Sequence, residues 1–177
     1  YIALINSGQE QEELREALFR AVKAQFHGFE AEGKFRVYEE KGNLDLNLHG
    51  DYVRAKNSDT GEPLPRITPM RLGAGLDYQL GKFSARLDVS HSFKQDQVAT
   101  NELPTSGYTL TNTMLSYRFK TPSVNWDAYI KGNNLFNQEY ESNAWVYRYS
   151  YDNSLQKMDG YYPQAGINFM AGVTVKL

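Results

Sequence analysis

Hydrophobic and polar positions alternate with a period of two through most of this chain, the mark of strands with one greasy and one wet face. The closing segment, residues 165–177, sets Ile167, Phe169, Ala171, Val173, Val175 and Leu177 against Asn168, Met170, Gly172, Thr174 and Lys176. Its length is close to the roughly 9–11 residues a tilted strand needs to cross a bilayer. The same alternation runs through residues 29–37, 43–57, 70–80, 83–94, 108–120 and 126–136. In residues 29–37, Phe29, Ala31, Gly33, Phe35 and Val37 oppose Glu30, Glu32, Lys34 and Arg36. In residues 43–57, Leu44, Leu46, Leu48 and Tyr52 oppose Asp45, Asn47, His49 and Asp51. Val22, Ala24 and Phe26 lie in the opposite phase, which predicts a bulge or a register shift at Gly28.

Two segments depart from this pattern. Residues 1–6 are a short apolar run that reads as the tail of a strand. Residues 9–22 place Leu14, Leu18 and Val22 at helical spacing among Glu, Gln and Arg. Alone they read as an amphipathic helix; between strands, they read as a loop with one or two helical turns.

The connections alternate in length: 39–42, 81–82 and 121–125 are short, whereas 7–17, 58–69, 95–107 and 137–164 are long. Short turns at one end and long loops at the other are typical of outer-membrane barrels, with the short ones periplasmic. The predicted fold is therefore all-β, an antiparallel up-and-down transmembrane β-barrel wall of about eight strands. Polarity agrees with this reading. Arg86, Asp88, Asp45 and Asp77 fall on the inward faces, where a soluble barrel of similar strand number keeps its apolar side chains. Polar inside and apolar outside means lipid outside.

Composition narrows the function. The 177 residues carry 19 Lys and Arg against 21 Asp and Glu, with no basic stripe for nucleic acid. There is no cysteine, so disulfides and thiolate metal sites are excluded. A mean hydropathy of −0.61 and the lack of long apolar runs exclude transmembrane helices but not an alternating barrel. Tyr occurs 13 times, as interfacial girdles and long loops require. The chain shows no leader and opens at Tyr1 within a strand-like run, so the expectation is a fragment of an exported protein.

Several segments resemble the C-terminal portion of TonB-dependent outer-membrane receptors. They are HGFEAE at 27–32, GYTLTNTMLSYRF at 107–119, YIKGNNLFNQEY at 129–140 and the closing GINFMAGVTVKL. The resemblance extends from about residue 26 onward. Residues 66–69 (RITP) and 83–97 resemble the branch that includes zinc-uptake receptors. The resemblance implies a barrel of about 22 strands with a plugged lumen, to which this chain contributes the C-terminal part over residues 1–177. The plug domain and the TonB-coupling segment would lie outside it. It also implies uptake of a scarce ligand such as a siderophore, haem or zinc. The implied partners are membrane lipid and lipopolysaccharide, the receptor's own plug, the TonB complex and an extracellular small ligand. No cofactor is implied. In the closing strand, Phe169, Val173, Val175 and Leu177 match the signal read by barrel assembly, although Leu177 stands where the family ends on an aromatic. Pro163-Gln164-Ala165-Gly166 stands where the family has Pro-x-Gly-Arg. The alternative is a complete eight-stranded barrel with a structural or adhesion role.

Candidate sites are few. His27, His49 and His91 are the only histidines. His49 with Asp51 is the nearest approach to a metal pair, and its plainer reading is a solvated histidine. The inward charges predict a cross-strand ion-pair lattice. Trp145, Tyr147, Arg148, Tyr149, Tyr151 and Tyr161 crowd the longest loop and are candidate ligand contacts, because Tyr and Trp combine area with a polar tip; the plainer reading is an aromatic hairpin packing on other loops. His91 with Asp96 is the only pair near the geometry of an enzyme, and no Ser completes it. No enzymatic activity is expected.

Overall fold

The structure is a computed structural model that describes every residue except 12–13, 100–101, 145–162 and 177. Nine strands are described: β1 (Ile2–Gln11), β2 (Leu14–Ala21), β3 (Ala24–Glu39), β4 (Asn43–Asn57), β5 (Arg71–Leu80), β6 (Phe83–Ser92), β7 (Tyr108–Lys120), β8 (Asn125–Asn133) and β9 (Asn168–Lys176). β3 to β9 form one seven-stranded antiparallel sheet in chain order, and β1 and β2 pair as a hairpin. The sheet is open: β3 and β9 are its two edges and do not pair with each other.

The helical expectation for residues 9–22 is corrected. β1 and β2 pair antiparallel from Ile2↔Ala21 to Asn6↔Ala17, then, past an irregularity, at Glu10↔Arg15 and Gln11↔Leu14. Helix propensity is a weak prior, and a neighbouring strand that satisfies the backbone overrides it. The 7–17 loop of the sequence reading is thus mostly strand, and β2 is the addition to the eight predicted. The predicted shift at Gly28 is also corrected. β3 pairs with β4 without interruption from Ala24↔Asn57 to Arg36↔Asp45, and the irregularity lies between Arg36 and Tyr38. Val37 is the extra residue. Phe26 therefore keeps its phase and shares the polar face with Ala55, its register partner.

Gly28 serves close approach instead. A Cβ there would overlap the Tyr52 carbonyl oxygen and lie 3.0 Å from the Val53 Cα. Neither atom can move without parting the strands. Gly28→Ala is expected to cost about 1–3 kcal/mol of unfolding free energy, by denaturant titration of the folded barrel.

Face assignment follows from register. Leu46, Leu76, Leu87, Thr113 and Gly132 lie in one row across β4 to β8 on the apolar face. Ala55 and Leu64 are the only buried hydrophobic side chains among the described residues, while Phe29, Phe35, Leu76, Ile130, Phe169 and Val173 stand exposed. The accessible surface is 12670 Å², against about 8,700 Å² for a folded globular protein of 20.2 kDa. The apolar side chains form an outer coat rather than a core.

Aromatic residues collect at both ends of that coat. Toward the short turns, Phe119 stacks on Trp126 with centroids 5.7 Å apart, and Tyr117 on Phe119 at 6.5 Å. Toward the long loops, Phe29 stacks on Tyr52 at 5.8 Å, and His91 meets Phe93 edge-on at 4.7 Å. Two aromatic girdles around an apolar band match a wall that spans a bilayer.

Candidate functional site

The opposite face of the sheet is a lattice of charge. Asp45, 8% exposed, receives Lys34 Nζ at 3.1 Å and the Arg36 guanidinium. Arg86 approaches Asp77 at 3.6 Å, while Asn47 Nδ2 donates to Asp77 at 2.7 Å. Arg71 Nε lies 3.0 Å from Asp51, and Arg118 Nε 3.8 Å from Asp127. All these pairs join neighbouring strands on the lumen side, as the alternation predicts. Arg118–Asp127 was not anticipated, although both residues sit at inward positions. Among the described residues Glu30, Glu32 and Asp88 have no ion pair, and neither do Lys120 and Lys131 on the same face by register, so the lattice leaves unpaired charge of both signs facing the lumen. A shallow cleft of about 270 Å³ runs over Lys34, Asp45, Asp77 and Arg86.

His49 and Asp51 both lie on this face but do not converge on a site. Asp51 is taken by Arg71, and the His49 ring lies over Gly73, filling the space a Cβ there would need. No group of three or more metal-ligating side chains occurs among the described residues. His91 sits on the outer face and shares a 2.8 Å hydrogen bond between its Nδ1 and Thr109 Oγ1. Asp96 is placed near Lys94, 3.9 Å away. The candidate ligand contacts Trp145, Tyr147, Arg148, Tyr149, Tyr151 and Tyr161 lie outside the described residues, as does Leu177. Phe169, Val173 and Val175 are exposed on the outer face of β9.

At the long-loop end a second constellation escaped the sequence reading. The Ile67 carbonyl accepts from Gln95 Nε2 at 2.6 Å and from Asn143 Nδ2 at 2.5 Å. One backbone oxygen thereby ties the β4–β5, β6–β7 and β8–β9 connections together. Gln95 and Asn143 are almost fully buried. Gln95 also pairs its backbone with Thr105 in both directions at 3.0 Å. Glu102 accepts from the Arg66 N–H at 2.8 Å and the Ala99 N–H at 3.4 Å.

Burial raises the Glu102 carboxyl above its ordinary value, with the two backbone donors and the Arg66 charge opposing it. A raised folded value stabilises the loops fully below the unfolded value, and that stability is lost as pH rises through the folded value. Glu102→Gln keeps an oxygen acceptor without the charge. It should slow exchange of the Arg66 and Ala99 amides near neutral pH, by roughly 0.5 kcal/mol after screening, and leave it unchanged in acid.

A comparable knot closes the β8–β9 connection. Asn134, 4% exposed with φ of 49°, accepts from the Gln138 N–H at 2.8 Å. It donates to the Gln138 carbonyl at 2.8 Å and to the Ala165 carbonyl at 3.3 Å. Asn137, also at φ 49°, accepts from the Ile167 N–H at 3.0 Å and so sets the entry to β9.

Comparison with known proteins identifies the architecture. Residues 6–135 match the family model described as TonB dependent receptor-like, beta-barrel. The chain belongs to this family. The barrel of this TonB-dependent receptor family also accounts for the open sheet, which is a piece of a larger wall. Among solved structures the chain is similar to one titled copper transporter OprC, with a TM-score of 0.79 at 20% sequence identity. The match covers 98% of this chain and 26% of that one, so the chain spans about a quarter of that transporter's length. At this identity the likeness establishes the shared fold. Membership in a receptor family accords with the expectation that the chain is not an enzyme.

Proposed function

We propose that this chain is the C-terminal part of the barrel of an outer-membrane, TonB-dependent receptor that takes up a scarce metal-containing ligand. One observation carries the reading: the sheet is inverted, with charge on its lumen face and unburied apolar side chains on the other. Such a wall is stable only with lipid outside and a polar filling inside. The receptor's own plug domain is that filling. Its surface would complete the ion-pair lattice, with basic groups facing Glu30, Glu32 and Asp88.

The cargo is a transition metal or its complex: a siderophore or haem, zinc, or copper, the last kept in play by the copper transporter of like fold. Extracellular capture falls to the long loops, whose stems are tied through the Ile67 carbonyl. Within them Trp145, Tyr147, Arg148, Tyr149, Tyr151 and Tyr161 supply the contact area and Arg148 a cation. Energy enters through TonB at the receptor's N-terminal segment. Phe169, Val173, Val175 and Leu177 present the strand that barrel assembly reads.

The test is accumulation of radiolabelled iron chelate, haem, zinc and copper by cells with and without the receptor. Uptake of one of them should fall on deletion and fall equally when TonB is inactivated. Uptake of all four unchanged on deletion would overturn the reading. So would a native outer-membrane species of about 20 kDa rather than about four times this chain's mass, the size implied by its 26% coverage.

A further inference from the structure

Charge is sorted by sign around the lumen face. On β3 to β6 acids and bases are interspersed: Asp45 beside Lys34 and Arg36, Asp77 beside Arg86, Asp51 beside Arg71. Opposite charges this close cancel over a Debye length. β7 to β9 differ. Their lumen-facing positions carry Arg118, Lys120 and Lys131, with Asp127 the one acid. Asp127 meets Arg118 only at 3.8 Å, and Lys120 and Lys131 have no ion pair among the described residues.

These cations descend the wall. Toward the long loops the row above them is neutral, with Asn133 Nδ2 donating to Asn168 Oδ1 at 2.8 Å. Lys131 is in the next lumen row, Arg118 about 14 Å further toward the short turns and Lys120 about 7 Å beyond that. There they reach a cleft of about 540 Å³, lined by Lys82, Arg118, Lys120, Asn125, Trp126 and Asp127 among others. Lys82 belongs to the β5–β6 turn, and its carbonyl accepts from the Arg118 N–H at 2.8 Å. Trp126 keeps a buried indole N–H with no hydrogen-bond partner among the described residues. The cleft thus offers ammonium, guanidinium, amide and indole donors against one carboxylate. A single sign of charge along a confined aqueous wall focuses the field and concentrates ions of the other sign. It also selects. Each lysine attracts an anionic solute, repels a free divalent metal ion and leaves a neutral one unguided.

We propose that Lys131, Arg118 and Lys120 form a translocation track for an anionic metal chelate, which leaves through the cleft at the periplasmic mouth. The inference rests on the uptake function proposed above and narrows its cargo. The cargo is a ferric complex or haem whose carboxylate or catecholate groups give it net negative charge, not a free zinc or copper ion. The plug bears mainly on β3 to β6, where the lattice presents charge of both signs, and cargo passes between the plug and β7–β8.

The experiment uses the whole receptor carrying this chain, expressed in cells deleted for it. Labelled probes are a ferric tris-catecholate, haem, a neutral ferric trihydroxamate, and zinc and copper chlorides. Wild type should take up one of the two anionic complexes, and only while TonB is active. Lys120→Gln/Lys131→Gln should lower its maximal uptake rate about tenfold, with binding to chilled cells unchanged. Lys120→Arg/Lys131→Arg should retain most of the rate, because charge is what guides the cargo. Uptake confined to the neutral complex or to the free metal ions would overturn the proposal, as would an unchanged rate in the glutamine variant. An equal loss in the arginine variant would assign the lysines to packing and overturn it too. So would a glutamine variant newly sensitive to a large antibiotic that the outer membrane excludes, since the lysines would then be plug anchors. Heat-modifiable migration checks that every variant is folded. Uptake of the wrong class of probe sinks this inference alone, whereas a wild type that takes up none of the probes sinks the underlying reading with it.

Discussion

Leu76→Arg should destabilise the barrel by about 2–4 kcal/mol in urea titrations of protein folded into vesicles. Leu76 is the middle of the apolar row on β5, between Leu46 on β4 and Leu87 on β6. It is 40% exposed, and on a water-facing surface such a position would accept arginine within about 0.5 kcal/mol. The large expected loss comes from its surroundings, because near the bilayer midplane the guanidinium must leave water or drag water in. The matched control is Glu32→Arg on the lumen face, opposite His49 in the register. That position is wet and carries no ion pair among the described residues, so in a barrel folded without its plug the change should stay within about 0.5 kcal/mol. Equal costs for the two variants would remove the distinction between the faces.

The second large effect is expected at Asn134. Asn134→Ala should cost about 2–4 kcal/mol in the same titration. Part is conformational: φ of 49° is left-handed, and a residue with a Cβ and no local side-chain hydrogen bond pays roughly 1–2 kcal/mol there. The rest comes from the Gln138 N–H and carbonyl and the Ala165 carbonyl, which lose their partners at a buried position. Asn134→Gly relieves the backbone but not the lost bonds, so it should recover about 1 kcal/mol. Asn134→Asp keeps the acceptor for the Gln138 N–H and loses both donations, and should fall between alanine and wild type. A glycine variant no better than alanine would contradict this division.

Much of the wall was legible in the sequence because lipid imposes a strict period of two and register carries each strand's faces to its neighbour. Leu44, Leu46 and Leu48 against Asp45, Asn47 and His49 placed β4 correctly, and the same logic put Asp77 and Arg86 on the lumen face. The bulge at Val37 was hidden, since one added apolar residue at a strand end leaves the alternation almost intact. Residues 9–22 misled for a different reason. Leu14, Leu18 and Val22 sit at helical spacing, yet a hairpin partner in residues 2–11 satisfies the backbone of this segment first. The loop knot was illegible because its centre is the Ile67 carbonyl, a group every residue possesses. Gln95 and Asn143 gave no sign that both would reach it. At His49 there was a usable signal: β5 presents Gly73 and Gly75 toward the lumen, and small residues there leave room for a ring from the neighbouring strand.

The central claim is that one face of this sheet meets lipid and the other meets water. It is tested most directly by nitroxide labels at single cysteines along residues 72–79 of β5 in the receptor reconstituted in bilayers. Labels at Leu72, Ala74, Leu76 and Tyr78 should be accessible to oxygen and shielded from a water-soluble nickel complex. Labels at Gly73, Gly75, Asp77 and Gln79 should show the reverse, giving a period of two. Accessibility to the nickel complex that is uniform along the strand, or an alternation of opposite phase, would contradict the account.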